Sequence, residues 1–152
     1  MVIVHMITQR GLDLIKHFES FRSEPYICAG GYLSVGYGHV IKPNEVFLEV
    51  TEAEAEALLL ADVAIAERSV LRLIRIPLED NRFDALVSFT FNVGGGGFQR
   101  STLRQKVNRE EHEEVPDEFR KWVYAGGRKL KGLIKRRELE ASLYQGGELC
   151  LV

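Results

Sequence analysis

The chain has 152 residues and a mass of 17.2 kDa, the size of one domain that can bury a substantial hydrophobic core. Apolar residues make up 45% and charged residues 28%, a balance that argues against disorder and against a membrane protein. The formal net charge of -2 argues against nucleic acid as a partner of the whole chain. Its two cysteines are too few for a disulfide scaffold, so we expect a reduced, cytosolic protein.

The first predicted element is an amphipathic helix over residues 8–21. Leu12, Ile15 and Glu19 recur at helical spacing, so the Glu19 carboxylate shares a face with two apolar side chains. We expect the helix to have stopped by Glu24 at the latest, because the following Pro25 disfavours helical backbone in the preceding residue. Burial on that face would favour the protonated carboxyl that a general acid needs, although a frayed surface glutamate or an ion pair with a C-terminal arginine fits the same pattern.

The region after this helix is predicted to form a small β-hairpin. Two β-favouring runs, at residues 26–28 and 32–37, flank Ala29-Gly30-Gly31, which suits a turn. The glycines in the second run weaken it as a strand but permit another part of the backbone to approach closely.

A thiol, a hydroxyl and an imidazole lie on or beside this hairpin, at Cys28, Ser34 and His39. Alternate strand positions face the same way, so Cys28 and Ser34 could both face Glu19 across a groove. A thiol-protease pair is disfavoured, because those enzymes place the nucleophile on a helix and the base far along the chain. An inert buried cysteine and a structural histidine stay open as alternatives.

The rest of the chain is predicted to be helical. Thr51 and Glu54 form a capping-box signature that starts the longest helix, over about residues 51–74. Further helices are predicted over residues 78–93, 101–108, 116–125 and 132–144. The fold class is therefore α+β and mostly α, in one domain of residues 1–152 with lobes at about 8–50 and 75–145 linked by the long helix.

Four consecutive glycines at residues 94–97 suggest a phosphate-binding loop at first sight. They lack the following Gly-Lys-Ser/Thr and they come after a helix rather than a strand, so a nucleotide site is excluded. We interpret the run as an inter-helix turn that leads to Ser101, which should cap the next helix.

Charge is segregated near the C-terminus. An acidic cluster comprises Glu110, Glu111, Glu113, Glu114, Asp117 and Glu118, and a basic cluster comprises Arg128, Lys129, Lys131, Lys135, Arg136 and Arg137. The basic cluster could attract an anionic polymer such as a cell-wall glycan or nucleic acid, or the two clusters could complement each other. Arg136 and Arg137 lie in a helix with apolar neighbours, so one of them could turn inward and pair with Glu19.

Several ordered motifs resemble the phage-type lysozymes, the endolysin muramidases of glycoside hydrolase family 24. They are Leu-Ile-Lys-His-Phe-Glu-Ser in the first helix, Val-Gly-Tyr-Gly-His after the hairpin, Phe-Thr-Phe-Asn-Val-Gly before the glycine run, Ser-Thr-Leu after it, and Trp-Val-Tyr-Ala-Gly-Gly leading to Gly-Leu-Ile-Lys-Arg-Arg. The resemblance covers nearly all of residues 8–144. It implies a lysozyme-like fold with a small hairpin lobe and a helical lobe.

The family's catalytic pattern is a glutamate, eight residues, an aspartate or in some members a cysteine, five residues, and a threonine. By resemblance, Glu19 is the general acid that protonates the glycosidic oxygen between N-acetylmuramic acid and N-acetylglucosamine, Cys28 takes the aspartate position, and Ser34 keeps the hydroxyl that could orient a water. The cleft-lining positions implied in the same way are His39, Val40, Phe91, Asn92 and Ser101.

Cys28 is the departure that matters most for the chemistry. An unperturbed thiol, with a pKa of about 8.5, is only a few per cent ionised near pH 7. Cys28 therefore serves as a base, an electrostatic partner or a nucleophile only if its pKa is depressed or its nucleophilicity compensates; otherwise it is a bystander. A disulfide with Cys150 outside the cell, which would mask the site, is a further alternative.

The resemblance implies peptidoglycan as the substrate, no metal or organic cofactor, and inversion at the reacting carbon. The sequence shows no export signal and no apolar run of membrane length, so we expect no stable membrane insertion. We also expect a monomer. It would stay in the host cytoplasm until a holin-type partner gives it access to the wall. Nucleic acid is not an expected partner. Two rival functions stay open: a catalytically silent peptidoglycan-binding module, and a nucleic-acid-binding helical domain.

Overall fold

The structure, a computed structural model, describes residues 5–28 and 30–151. Its helices are α1 (Gln9–Glu19), α2 (Glu52–Leu73), α3 (Asp80–Val93), α4 (Gly95–Arg100), α5 (Thr102–Asn108), α6 (Val115–Arg120) and α7 (Lys131–Tyr144). Its strands are β1 (Arg22–Ile27), β2 (Leu33–Gly36), β3 (His39–Val40), β4 (Tyr124–Ala125) and β5 (Arg128–Lys129). The predicted class, α+β and mostly α, is confirmed.

The predicted hairpin forms two strands of a three-stranded antiparallel sheet in the order β1-β2-β3. Tyr26 pairs with Ser34, and Val35 pairs with His39 on the third strand, which the sequence did not predict. Ala29 of the expected turn lies outside the described residues. β1 also begins earlier than expected and includes Pro25, at a point where its register with β2 is irregular. A proline fits there because it has no amide hydrogen to give to the ladder.

The first helix ends at Glu19, earlier than the predicted residue 21. Ser20 has φ 56° and ψ 148°, a backbone conformation that an L-residue adopts only at a cost. The chain therefore leaves the helix abruptly after Glu19 and turns into β1. At the other end Thr8 caps the helix, and its backbone N–H donates to the buried carboxylate of Asp84 at 2.9 Å.

The main hydrophobic core lies around α3, which packs against α1, α2 and α7. Leu14 and Ile15 of α1 are fully buried in this core, so the helix that carries Glu19 belongs to the helical body although it precedes the sheet. The small lobe has its own core, formed by the buried residues Val35, Val50 and Ala55. Glu19 is thus fixed in the larger body, while Cys28 is carried by the sheet.

The long helix α2 connects the two cores, and its capping box is confirmed. The Thr51 hydroxyl accepts from the Glu54 backbone N–H at 3.1 Å, while the Glu54 carboxylate accepts from the Thr51 backbone N–H at 3.2 Å. Across residues 5–28 and 30–151, no helix combines the length and the apolar character needed to span a bilayer.

Two predictions about the second half of the chain are wrong. The glycine run is not a simple turn: Gly94, with φ 87°, ends α3, and the other glycines open the short helix α4. Burial of Phe98 anchors this helix and outweighs the poor helical propensity of glycine. The helix predicted over residues 116–125 stops at Arg120, because the chain then turns into the β4-β5 hairpin through Gly126 and Gly127, both with positive φ.

Candidate active site

A cleft of about 1010 Å³ opens between the small sheet and the helical body. Its walls come from the end of α1, the sheet, one side of α2, and the junction between α3 and α4. Six of the residues singled out by the sequence line it: Glu19, Cys28, His39, Val40, Phe91 and Asn92. Two further candidates are buried: Ser34 lies behind the sheet surface, and Ser101 caps α5 by accepting from the Arg104 backbone N–H at 3.0 Å. Ser101 therefore lies at the start of α5 and not on the cleft surface.

Glu19 projects into the cleft from the last position of α1, with its side chain 22% exposed. Arg136 of α7 donates from Nη1 to Glu19 Oε1 at 2.9 Å. The other carboxylate oxygen, Oε2, lies against the backbone of Gly38, where an added Cβ would stand only 2.6 Å away. The buried Arg136 guanidinium thus holds Oε1 of Glu19. Oε2 occupies space that would be filled if residue 38 had a side chain.

A methyl group at position 38 is expected to displace the Glu19 carboxylate. Gly38 has φ 75°, so Gly38→Ala also adopts a left-handed conformation that costs about 1–2 kcal/mol. Gly31→Ala is the matched control, because Gly31 has φ 84° and an added Cβ would meet no described atom within 4 Å. Both variants should lose similar stability in thermal melts. Only Gly38→Ala should also lose the expected glycan-hydrolysing activity, by about 10- to 100-fold. Equal activities in the two variants would show that Gly38 does not provide space for the Glu19 carboxylate.

The Cys28 thiol lies directly after β1, half-buried and on the cleft surface. The Ser34 hydroxyl donates to the Tyr32 carbonyl oxygen over a long 3.5 Å contact. The same hydroxyl, together with backbone N–H groups of the hairpin, lowers the pKa of Cys28, and the partial burial of the thiol opposes this shift. The buried hydroxyl therefore supports the thiolate, which is the form that can act as a base or nucleophile.

His39 lines the cleft, but both of its ring nitrogens are engaged. Nδ1 lies 2.8 Å from Asp62 Oδ2 on α2, and Nε2 lies 3.0 Å from Glu45 Oε1. Burial alone would lower the pKa of His39, but the hydrogen bonds and charges of the two carboxylates outweigh it and raise the pKa. His39 therefore links β3 to α2, its protonated form is favoured by the two carboxylates, and the adjacent Val40 lies on the cleft surface.

This arrangement predicts a pH-dependent stability. Because the folded pKa of His39 is raised above its ordinary value of 6.5, its contribution is fully present below 6.5 and is lost as the pH rises through the folded pKa. The melting temperature gained on going from pH 8.5 to pH 6 should therefore be smaller in His39→Gln than in wild type. Comparing the two proteins cancels the other titrating groups. An identical pH dependence in both would show that the two carboxylates do not stabilise the protonated ring.

Tyr26 and Arg22 are cleft residues that the sequence analysis did not identify. Tyr26 lies on β1, two positions before Cys28, and lines the cleft, with the Arg22 guanidinium 4.5 Å from its ring centre. Burial, followed by the nearby charges of Glu19 and Cys28, raises the pKa of Tyr26, so the phenol stays protonated and can donate a hydrogen bond. Period-two alternation from Cys28 was the signal that could have found it.

The two arginines proposed as partners of Glu19 have separate contacts. Arg136 reaches Glu19, whereas Arg137 donates from Nη2 to Asn92 Oδ1 at 2.7 Å. Both are buried, so they do not belong to an exposed basic surface.

The acidic cluster forms its ion pairs with residues outside the basic cluster, namely Lys106, Arg109, Arg120 and Lys121. No ion pair between the two clusters occurs within the described parts of the chain.

Comparison with known proteins relates this chain to phage lysozymes. The family model described as phage lysozyme matches residues 16–140. The chain is 40% identical over 147 residues to an endolysin of Bacillus phage B103, covering 93% of this chain but only 55% of that protein. It is 38% identical over 143 residues to an endolysin of Acyrthosiphon pisum secondary endosymbiont phage 1, covering 91% of this chain and 97% of that protein. The muramidase domain of SpmX from Asticaccaulis excentricus matches with a TM-score of 0.83 and 35% identity, covering 92% of this chain and 97% of that domain.

Proposed function

This chain belongs to the phage lysozyme family of enzymes, and we propose that it is an endolysin muramidase. The bond cleaved is the β-1,4 linkage between N-acetylmuramic acid and N-acetylglucosamine in peptidoglycan. The observation that carries this proposal is the opening of Glu19 and Cys28 onto one cleft, with Arg136 behind the carboxylate and Ser34 behind the thiol. A carboxyl group paired with a second basic group is the arrangement that glycoside hydrolysis requires.

In the proposed reaction Glu19 is the general acid. Its proton passes to the glycosidic oxygen as the bond to the muramic acid carbon breaks, so the leaving sugar departs as an alcohol. Arg136 holds Oε1 and stabilises the carboxylate that forms, while Oε2, beside Gly38, is the oxygen free to carry the proton.

The Cys28 thiolate is the proposed base. It takes a proton from the water that attacks the sugar carbon from the opposite face, which gives inversion. Ser34 supports the anionic form of the thiol through its hydroxyl. Direct attack by the thiolate would instead give a thioglycoside intermediate and retention, so the anomer of the first product separates the two routes.

The remaining cleft residues are proposed to bind the glycan. Val40 and Phe91 offer apolar surface for sugar rings and acetyl groups, and Asn92 offers a polar group beside them. His39 supports this surface from within rather than contacting a sugar, because both of its nitrogens are engaged by carboxylates. Ser101 is proposed to act only by capping α5.

The cellular role that follows is lysis of a bacterial host from within. We propose a monomer that is held in the cytoplasm until a holin-type partner opens the membrane. Expression in the host should leave cells intact until a permeabilising agent is added, and lysis should then follow within minutes of permeabilisation. Lysis without any permeabilisation would contradict the need for such a partner.

The activity is tested by incubating the protein with purified peptidoglycan and measuring the release of reducing ends. A muramidase releases them progressively. A silent binding module would sediment with peptidoglycan without releasing any, and a nucleic-acid-binding domain would bind DNA with an affinity that falls steeply with salt. Either result in place of reducing-end release would overturn the proposed function.

A further inference from the structure

A single buried carboxylate connects two cleft residues of the helical body, Glu19 and Asn92. Glu140 lies on α7 with no exposed surface. The Ser88 hydroxyl of α3 donates to its Oε2 at 2.6 Å, Arg136 Nε lies 3.4 Å from the same oxygen, and Arg137 Nε lies 2.7 Å from Oε1. Arg136 and Arg137 therefore share Glu140 as a counter-ion, and Arg136 also pairs with Glu19.

Each of these arginines reaches a different cleft residue from that shared anchor. Arg136 Nη1 donates to Glu19 Oε1 at 2.9 Å, and Arg137 Nη2 donates to Asn92 Oδ1 at 2.7 Å. Aromatic rings of Phe18 and Phe89 lie against the two guanidinium groups and leave them little room to rotate. The order of contacts is therefore Glu19 to Arg136 to Glu140 to Arg137 to Asn92.

The Glu140 carboxylate offsets the repulsion between the positive charges of Arg136 and Arg137, which buried groups cannot lose to solvent. Arg136 is 3% exposed and Arg137 is fully buried, so water does little to separate their like charges. Burial lowers the pKa of Arg137, Glu140 raises it, and the neighbouring charge of Arg136 lowers it. Glu140 is the fully buried anion between them, and without its charge the two guanidinium groups would repel each other.

The chain of contacts also fixes the orientation of the Asn92 amide. Arginine only donates hydrogen bonds, so the atom of Asn92 that faces Arg137 is the carbonyl oxygen. The NH2 group is then left for the cleft, where Asn92 is exposed. Asn92 therefore presents a donor to an acceptor oxygen of the glycan, such as an acetamido carbonyl.

We propose that Glu140 is a positioning residue that aligns the acid Glu19 and the donor Asn92 together, although it never touches the substrate. This inference rests on the proposed muramidase function. It assigns one buried residue of α7 two effects, on turnover through Arg136 and on substrate affinity through Arg137.

The decisive variants are Glu140→Asp and Glu140→Gln. Glu140→Asp keeps the negative charge on a side chain that is shorter by one methylene group. Glu140→Gln keeps the shape of the side chain and removes its charge. We expect kcat on purified peptidoglycan to fall by about 10- to 100-fold in both and KM to rise, because small displacements of reacting groups carry costs of this size. In Glu140→Gln the uncompensated positive charge beside Glu19 should also move the alkaline limb of the pH–activity profile to lower pH.

Asn81→Ala is the control for loss of packing between the same two helices. Asn81 on α3 donates to the Leu143 and Tyr144 carbonyl oxygens of α7 at 3.1 and 3.0 Å and has no contact with the Glu140 network. It should lower the melting temperature and leave kcat, KM and the pH profile of the folded protein unchanged. Assays are run well below each variant's melting temperature.

The outcomes separate this proposal from the proposed function. Wild-type protein that releases no reducing ends refutes the muramidase assignment, on which this proposal rests. Active wild type together with wild-type kcat and KM in Glu140→Asp overturns the positioning role. If Glu140→Gln fails to fold, Glu140→Asp still decides, because it retains the buried charge.

Discussion

Glu19→Gln is expected to reduce reducing-end release from peptidoglycan by about 10²- to 10⁴-fold, the range typical of a lost general acid. The amide keeps the shape of the side chain and can still accept from Arg136, so the fold and substrate binding should be retained. The change removes only the proton that the leaving oxygen needs. Initial rates and sedimentation with peptidoglycan, measured on the same preparation, separate catalysis from binding.

Glu24→Gln is the matched control for this result. Glu24 is exposed on β1 and does not line the cleft. The variant therefore makes the same chemical change as Glu19→Gln, close to the cleft but outside it. Its rate should equal that of wild type, which excludes an effect of the changed net charge. Turnover by Glu19→Gln at the wild-type rate would remove Glu19 from the mechanism.

Cys28→Ala should reduce the rate by about 100-fold or more, as expected for loss of a general base. Cys28→Asp should recover much of the activity, because a carboxylate at this position is charged at neutral pH. Cys150→Ser is the control, since Cys150 is also a free cysteine but is exposed and does not line the cleft. Full activity in Cys28→Ala would make the thiol a bystander.

The charge state of Cys28 can be measured directly by alkylation in the Cys150→Ser background. Because the Ser34 hydroxyl and the hairpin N–H groups lower the thiol pKa, the alkylation rate should rise at a pH below the usual thiol range of about 8.5. Ser34→Ala removes the hydroxyl and should move both the alkylation curve and the acidic limb of activity to higher pH. Unmoved curves would show that Ser34 does not support the thiolate.

The elements that the sequence predicted best are those set by local signals. The capping box at Thr51 and the glycine-punctuated hairpin around Cys28 depend on neighbours within a few residues, and both are present in the structure. The end of α1 and the helix α4 were missed because they depend on other forces. Ser20 adopts a strained φ of 56°, and buried Phe98 holds glycines in a helix that their propensity opposes.

The same distinction applies to the site. Spacing and resemblance brought Glu19 and Cys28 forward as candidates, but no local pattern could decide which arginine reaches Glu19. Arg136 is 117 residues away in the chain, and the choice depends on how α7 packs on α3. The engagement of His39 by Asp62 and Glu45, and the clearance that Gly38 gives to Glu19, are likewise products of tertiary packing.

The most direct test of the proposed function is the identity of the sugar at each new chain end. Peptidoglycan digested by the protein is reduced with borohydride and its fragments are analysed by mass spectrometry. Cleavage between N-acetylmuramic acid and N-acetylglucosamine predicts new N-acetylmuramitol ends in the wild-type digest, with few in the Glu19→Gln digest. New N-acetylglucosaminitol ends, or equal amounts of N-acetylmuramitol in both digests, would contradict a muramidase that uses Glu19 as its acid.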